Sequence, residues 1–442
     1  MSGLSHSVLL GQAPPVFRIN LSLPPSERYV ALACLYKDQM RSMRGIFDDL
    51  ITSVSPKIPL KLVHWLAYMC LRRLYTDEET EEIRGISLAT DIDLYLLICL
   101  NTVLDLLMGC TSGGARTKSA SQTTKMLHFR TLDWAMDPLR DLIVQLDFYQ
   151  NSDPQEVLAT SITYVGFVGV LTGVRKDLSV SLNFRPIHDP THDFAFYSNH
   201  ILVLLGIRQS VSSLLRECIF SRFSPATRSR KPDLSTLDSI VANMPSIPTT
   251  AAYFIFSDGA RAVTMEKDHR TAEVRSSSSF IVTTNHDQKP DSVQSEQALT
   301  ADKRRRHHVG LSLMSSDAQA LSDLLEDSTE RRDCIQAKWD NKLQKHARIK
   351  VVEKVGEAQT TRSSLRLRQK REEERLKHES RQASEPISLD NDDMAVTQRE
   401  LLSWLTTYPI LNESTHYATI MDPSKGKVVW AKRYDPDELE LF

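Results

Sequence analysis

Residues 94–112 read Leu94-Tyr95-Leu96-Leu97-Ile98-Cys99-Leu100-Asn101-Thr102-Val103-Leu104-Asp105-Leu106-Leu107-Met108-Gly109-Cys110-Thr111-Ser112, and the chain changes character across them. The apolar run up to Gly109 is shorter than the about 20 residues a bilayer needs. It also carries Asn101 and Asp105, so it predicts a buried helix, from about Asp91 to Met108. A glycine after the last apolar turn is the usual helix stop, which Gly109 supplies. Beyond it, Met126–Trp134, Leu142–Tyr149, Val157–Val165, Val168–Thr172 and Leu178–Asn183 are rich in β-branched and aromatic residues and predict strands. Gly166, Gly169 and Gly173 punctuate them.

Towards the N-terminus, alternation from Phe17 to Leu23 predicts a half-buried strand, and Glu27–Ser53 and Leu60–Tyr75 have helical spacing. Towards the C-terminus, helical spacing returns over His200–Arg222. Strands are predicted at Ala252–Phe256, Ala262–Glu266 and Phe280–Thr284, with Ser257-Asp258-Gly259 as a hairpin turn. Residues 288–318 are polar, and residues 340–392 are strongly charged and read as a solvated helix or a disordered insertion. Globular patterning resumes with a helix at Val396–Thr406 and strands at His416–Met421 and Lys427–Ala431. Helices at the front, middle and end of a strand-rich chain indicate layers of helix and sheet, an α+β class.

Length and composition fit a globular protein: 442 residues, 41% hydrophobic and 25% charged. A net charge of −2 gives no polycation for nucleic acid. Cys34, Cys70, Cys99, Cys110, Cys218 and Cys334 form no CxxC pair, so neither a zinc site nor a redox motif is expected, and no metal or cofactor is assigned. Met1–Gln12 holds one short apolar patch, Val8-Leu9-Leu10, and does not read as a secretory signal. A lone cysteine such as Cys110 is ordinarily a small buried hydrophobe, so position alone does not make it functional.

The residues around it say more. Cys110-Thr111-Ser112 followed by His128-Phe129-Arg130-Thr131-Leu132-Asp133-Trp134 resembles the acid ceramidase and N-acylethanolamine acid amidase family, Cys-type N-terminal-nucleophile hydrolases. The likeness continues in Pro14-Pro15 to Pro24-Pro25, Arg84-Gly85-Ile86-Ser87, Tyr164 to Gly173, Thr284-Asn285-His286-Asp287, Glu330-Arg331-Arg332 and Tyr408 to Asn412. It implies a four-layer αββα sandwich of the N-terminal-nucleophile hydrolase type, here with charged insertions. It also implies a chain cut before Cys110, into a mainly helical segment 1–109 (the alpha subunit) and a catalytic segment 110–442 (the beta subunit).

The resemblance assigns roles residue by residue. Cys110 would be the nucleophile, and its freed α-amine, of pKa about 7.7–8.0, the general base. Arg130 would favour the thiolate by its charge, Asp133 would hold the amine, Asn285 would donate to the oxyanion, and Arg331 would anchor the site. Arg332 is equally available on sequence. The implied reaction is hydrolysis of an N-acyl lipid, ceramide first and N-acylethanolamine second, through a Cys thioester. A non-catalytic lipid-binding relative that keeps the fold is a second reading, and an amidase for lactam or bile-salt-like amides, which shares the same core residues, is a third. The family works in acidic compartments; the N-terminus shows no route to one. Two departures stand out. Gly113–Thr124 lengthens the stretch between Cys110 and Arg130, as a longer hairpin would, and the family's Asn-Glu-Arg becomes Asn183-Phe184-Arg185.

Two other stretches have competing readings. Lys303–His308 is a basic run, read as a solvated loop rather than an acidic-lipid patch. Leu62, Trp65, Leu66 and Met69 share one helix face ahead of Arg72 and Arg73. That face either packs on the core or touches a membrane surface.

Overall fold

A computed structural model describes residues 10–41, 59–103, 109–119, 123–134, 136–186, 193–223, 232–288, 318–365 and 394–439, with a few positions between 44 and 52. Two β-sheets form its centre. The larger has the order β1(Val16–Asn20), β4(Ile143–Tyr149), β5(Ala159–Tyr164), β6(Thr172–Arg175), β7(Leu178–Phe184), β8(Ala252–Ser257), β9(Ala262–Lys267), β10(Ala272–Ser277). Only the β1–β4 pair is parallel. The smaller sheet is antiparallel, in the order β11(Phe280–Thr283), β2(Gly109–Lys118), β3(Thr124–Asp133), β12(Thr415–Asp422), β13(Lys427–Arg433).

The sheets lie face to face: β2 rests on β7, β8 and β9, and β13 on β5 and β6. Helices cover both outer faces. In chain order they are α1(Val30–Leu35), α2(Lys37–Met40), α3(Leu60–Cys70), α4(Asp77–Thr90), α5(Leu94–Val103), α6(Asp193–Leu204), α7(Val211–Phe220), α8(Leu237–Asn243), α9(Ala318–Leu365), α10(Gln398–Leu405) and α11(Pro436–Leu439). α7 lies on β6 and β7 outside the large sheet, whereas α9 and α10 lie on β2 outside the small one. This is the expected α+β sandwich with layers helix, sheet, sheet, helix.

Alternation on β2 and β3 sorts side chains between two cores. Cys110 and Leu132 face the large sheet, among residues such as Leu182 and Tyr417. Ala115, Leu127 and Phe129 face α9 and α10, against Ile335, Trp339 and Leu401. Arg130 and His128 point into the inter-sheet layer, where they bond residues of β6 and β7 or the segment before them. A polar layer buried between sheets must be fully hydrogen-bonded to be tolerated. Here it largely is: His128 bridges Ser179 and Ser181 at 2.9 and 2.8 Å, and Tyr417 Oη lies 2.7 Å from Thr172 Oγ1. Burial lowers the His128 pKa to about 3, so its ring is neutral.

Several expected boundaries shift. The helix before Cys110 is described to Val103, and residues 104–108 lie outside the described residues. Gly109 is not a helix stop but the first residue of β2. The lengthened stretch after Cys110 is a hairpin of two 10-residue strands. β2 needs its glycines: a Cβ at Gly113 would lie 2.1 Å from Ile281 O, and one at Gly114 2.3 Å from Ala262 Cβ. The strand expected at Val168–Thr172 is found instead at Thr172–Arg175, because Gly169 sits against Ser212 of α7 and the chain there turns rather than pairs. His200–Arg222 splits into α6 and α7 at Gly206, whose φ of +67° breaks a helix, and Ser210 caps the second piece. β10 at Ala272–Ser277 was not expected. The charged segment from 340 begins inside α9, which runs unbroken to Leu365. Lys303–His308 and residues 366–393 lie outside the described residues.

The segment before Cys110 is joined to the rest by buried charge. Glu82 of α4 accepts from Arg216 of α7, with Nη2 2.8 Å from Oε1, and from Arg28 Nη1 at 2.9 Å. The Glu82 side chain is fully buried. From α5, Asn101 donates to Gly166 O at 2.9 Å and accepts from Val168 N at 2.8 Å. That accounts for a polar residue inside the apolar run.

Candidate active site

Cys110 is the second residue of β2, and pairs with Leu132 of β3. Arg130, two residues earlier on β3, projects to the same face. Its Nη2 lies 3.2 Å from Cys110 Sγ and donates to Leu182 O at 2.7 Å, while Nη1 donates to Leu171 O. The guanidinium is fully buried beside the Tyr417 ring. No carboxylate neutralises it at hydrogen-bond range among the described residues. The sulfur is therefore its nearest soft anion-to-be.

The backbone nitrogen of Cys110 points elsewhere, donating to Asn285 Oδ1 at 2.8 Å. The same oxygen accepts from Arg331 Nη2 at 3.0 Å, and Asn285 Nδ2 donates to Phe184 O at 2.8 Å. Asp133 ends β3 opposite Gly109. Its Oδ1 accepts from Thr415 Oγ1 at 2.8 Å. Its Oδ2 stands 3.7 Å from Arg331 Nε and is buried without a hydrogen-bond partner among the described residues. Such an oxygen is costly to leave unmade.

The structure thus brings together Cys110, Arg130, Asp133, Asn285 and Arg331, from β2, β3, the segment after β11, and α9. It also separates the two arginines that sequence left equal. Arg331 is buried and its Nη2 donates to Asn285 Oδ1, whereas the partly exposed Arg332 pairs with Asp333 at 3.5 Å. Sequence reasoning did not single out Thr415, which orients Asp133, or Ser328, whose Oγ accepts from Asn285 N at 2.7 Å. Neither hydroxyl has a local signal; only the fold brings it there.

Arg130 favours the Cys110 thiolate, in the expected sense, but burial acts against it. Burial pushes the Cys110 thiol up, and this outweighs the pull of Arg130 in the other direction. Asp133 is likewise raised by burial, against Arg331. With Cys110 still joined to Gly109, the site is buried and favours a neutral thiol. Arg130 acts in the expected sense, but not strongly enough while the site is closed.

The sequence matches the family model of the beta subunit of N-acylethanolamine-hydrolyzing acid amidase over residues 12–75, N-terminal to Cys110. It is 31% identical over 183 residues to the N-acylethanolamine-hydrolyzing acid amidase of Caenorhabditis elegans, covering 39% of this chain and 48% of that one. It is 28% identical over 191 residues to the acid ceramidase of Homo sapiens, covering 39% and 46%. Over 39% of its length the chain is similar to members of the acid ceramidase and N-acylethanolamine acid amidase family. Its matches span about half the length of those family members. A solved structure of the C. elegans N-acylethanolamine-hydrolyzing acid amidase ortholog aligns at 18% identity and a TM-score of 0.39, over 71% of this chain and 93% of that one.

Proposed function

We propose that this chain is a lipid amidase that matures by cutting itself before Cys110 and then hydrolyses an N-acyl amide through a Cys110 thioester. The observation that carries it is the arrangement around one residue: Arg130 on the sulfur of Cys110, Asn285 on its nitrogen, and, beside Gly109, an Asp133 oxygen with no hydrogen-bond donor among the described residues. Cleavage turns the Cys110 amide into an amine. Asn285 Oδ1 and Asp133 Oδ2 then serve as its acceptors. The amine takes the thiol proton, and Arg130 stabilises the thiolate once water enters. The thiolate attacks the acyl carbonyl, and the leaving amine departs with a proton from the Cys110 ammonium. Water then attacks the thioester and releases the fatty acid. Asn285 is the side-chain donor for the oxyanion; in the uncut chain its amide is held on Phe184 O.

Ceramide is the first substrate and N-acylethanolamine the second, since the family covers both amine sides. The test is fatty-acid release by the purified chain from each lipid in mixed micelles. Release from ceramide in excess is expected; inactivity on both would remove the amidase reading.

The substrates sit in membranes, and α3 offers a route to them. None of its residues is buried, and Leu62, Trp65, Leu66 and Met69 are 45–59% exposed. That is against packing of this face on the described core. His64 bonds to Tyr95 and Asp48 and holds the helix by its other side, and Arg72 lies over the Tyr68 ring near its end. We assign this face to contact with a membrane surface. The double substitution Trp65→Ser, Leu66→Ser should lower binding to anionic vesicles by about tenfold or more, from the apolar area it removes. Hydrolysis of a short-chain soluble amide should be unaffected. Unchanged sedimentation with vesicles would count against this assignment.

A further inference from the structure

The segment Thr284–Gln288, which carries Asn285, follows β11 and belongs to no strand or helix. Besides Ser328 and Arg331 of α9, it is held by the end of β7 and the residue after it, Asn183-Phe184-Arg185. Asn183 is fully buried. Its Nδ2 donates to Thr283 O and Thr284 O, both at 3.1 Å, and its Oδ1 accepts from Ser112 Oγ at 2.7 Å. It therefore ties the stretch before Asn285 to β2, two residues from Cys110. Phe184 O takes the Asn285 amide. Arg185 then grips the other side: Nε and Nη2 donate to Asp287 Oδ1 and Oδ2 at 2.8 and 2.7 Å, a two-pronged pair. Tyr253 Oη donates to Asp287 Oδ1 at 2.7 Å, with the Arg185 guanidinium 5.8 Å from the Tyr253 ring centroid. Arg185 Nη1 also donates to Lys267 O at 3.2 Å and to Asp268 Oδ2 at 3.3 Å.

We propose that Arg185 and Asp287 are positioning residues, whose paired hydrogen bonds hold the Asn285 amide in register with Cys110. The inference rests on the amidase reading of that site. A planar guanidinium that meets both oxygens of one carboxylate fixes orientation as well as distance, which a point charge does not. The pair is partly shielded, with side-chain exposures of 10% for Arg185 and 35% for Asp287. It touches neither Cys110 nor Arg130, so its loss reaches the nucleophile through the Thr284–Gln288 segment. An isolated surface ion pair of this exposure would have little effect on anything. The proposal predicts a specific loss instead.

The experiment compares wild type, Asp287→Asn, Arg185→Lys and Asp287→Glu as full chains. It measures the fraction with Cys110 at a new N-terminus, and kcat and KM on a fluorogenic palmitoyl aryl amide. Asp287→Asn should lower kcat by about 10–100-fold, as ångström-scale misplacement does. KM should stay within about twofold, since uniform binding is untouched. Arg185→Lys, which keeps charge but loses the two-pronged geometry, should fall in the same direction. Asp287→Glu should recover most of kcat. Thermal unfolding of each variant reports whether folding is intact. Wild-type kcat in a folded, matured Asp287→Asn would overturn the positioning role alone. So would a kcat loss matched by a loss of folded protein. A wild type that neither matures nor hydrolyses the amide would instead overturn the amidase reading, and this role with it.

Discussion

Cys110→Ala should abolish amide hydrolysis while leaving a folded protein. Removing a covalent nucleophile costs at least about 10⁴-fold where such enzymes have been dissected, and the remaining donors cannot form a thioester. The fold should tolerate the change. The Cys110 side chain is fully buried in the inter-sheet core, and alanine leaves a space of one sulfur atom. Arg130 loses one neighbour but keeps Leu171 O, Thr172 Oγ1 and Leu182 O. A stability loss of about 1–2 kcal/mol is therefore expected, the middle of the range for single substitutions. The check is fatty-acid release alongside thermal unfolding. Residual activity within tenfold of wild type would place the nucleophile elsewhere.

The largest effect on stability is expected from Glu82→Ala. Its carboxylate is buried and accepts from both Arg216 and Arg28; without it Arg216 keeps only the half-exposed Glu78, at 3.7 Å, and Arg28 shares that same carboxylate. Arg216 is itself buried, and its pKa stands well above the ordinary value because Glu82 and its neighbours outweigh the effect of burial. Removing one partner of such a pair costs about 3–5 kcal/mol, because a buried charge is stranded. Urea unfolding of the full chain measures this. Since Glu82 precedes Cys110 and Arg216 follows it, the same variant should loosen the two fragments after the cut, seen as their separation on a sizing column. A loss below about 1 kcal/mol would show that water or a neighbour takes over the role of Glu82.

How much of this could be read from sequence depends on where the determining contacts lie. Strands with apolar alternation or aromatic residues, such as Leu142–Tyr149 and Ala252–Phe256, were legible because burial is written in their own side chains. β2 was not. Gly109-Cys110-Thr111-Ser112-Gly113-Gly114 has little strand propensity, and its conformation is set by close approach of Ile281, Phe129 and Ala262. The split of α6 from α7 lay in Gly206, which looks like any helical glycine until its φ is known. The site followed the same rule. Cys110, Arg130 and Asp133 share a hairpin and were legible as a motif. Arg331 could not be told from Arg332, because only the direction of α9 relative to the small sheet decides which one faces Asn285. Phe184 illustrates the limit in the other direction. The departure from the family's glutamate was visible, but that its carbonyl holds the Asn285 amide was not, because a backbone contact carries no sequence signal.

The central claim, that Cys110 becomes a free N-terminus, is tested most directly by intact mass and N-terminal sequencing of the purified chain. The protein would be incubated at neutral and at mildly acidic pH. Two fragments meeting between Gly109 and Cys110, the larger beginning Cys110-Thr111-Ser112, are the expected result. A single uncut chain in every condition would contradict the account, leaving the sandwich in place but pointing to a lipid-binding protein rather than an amidase.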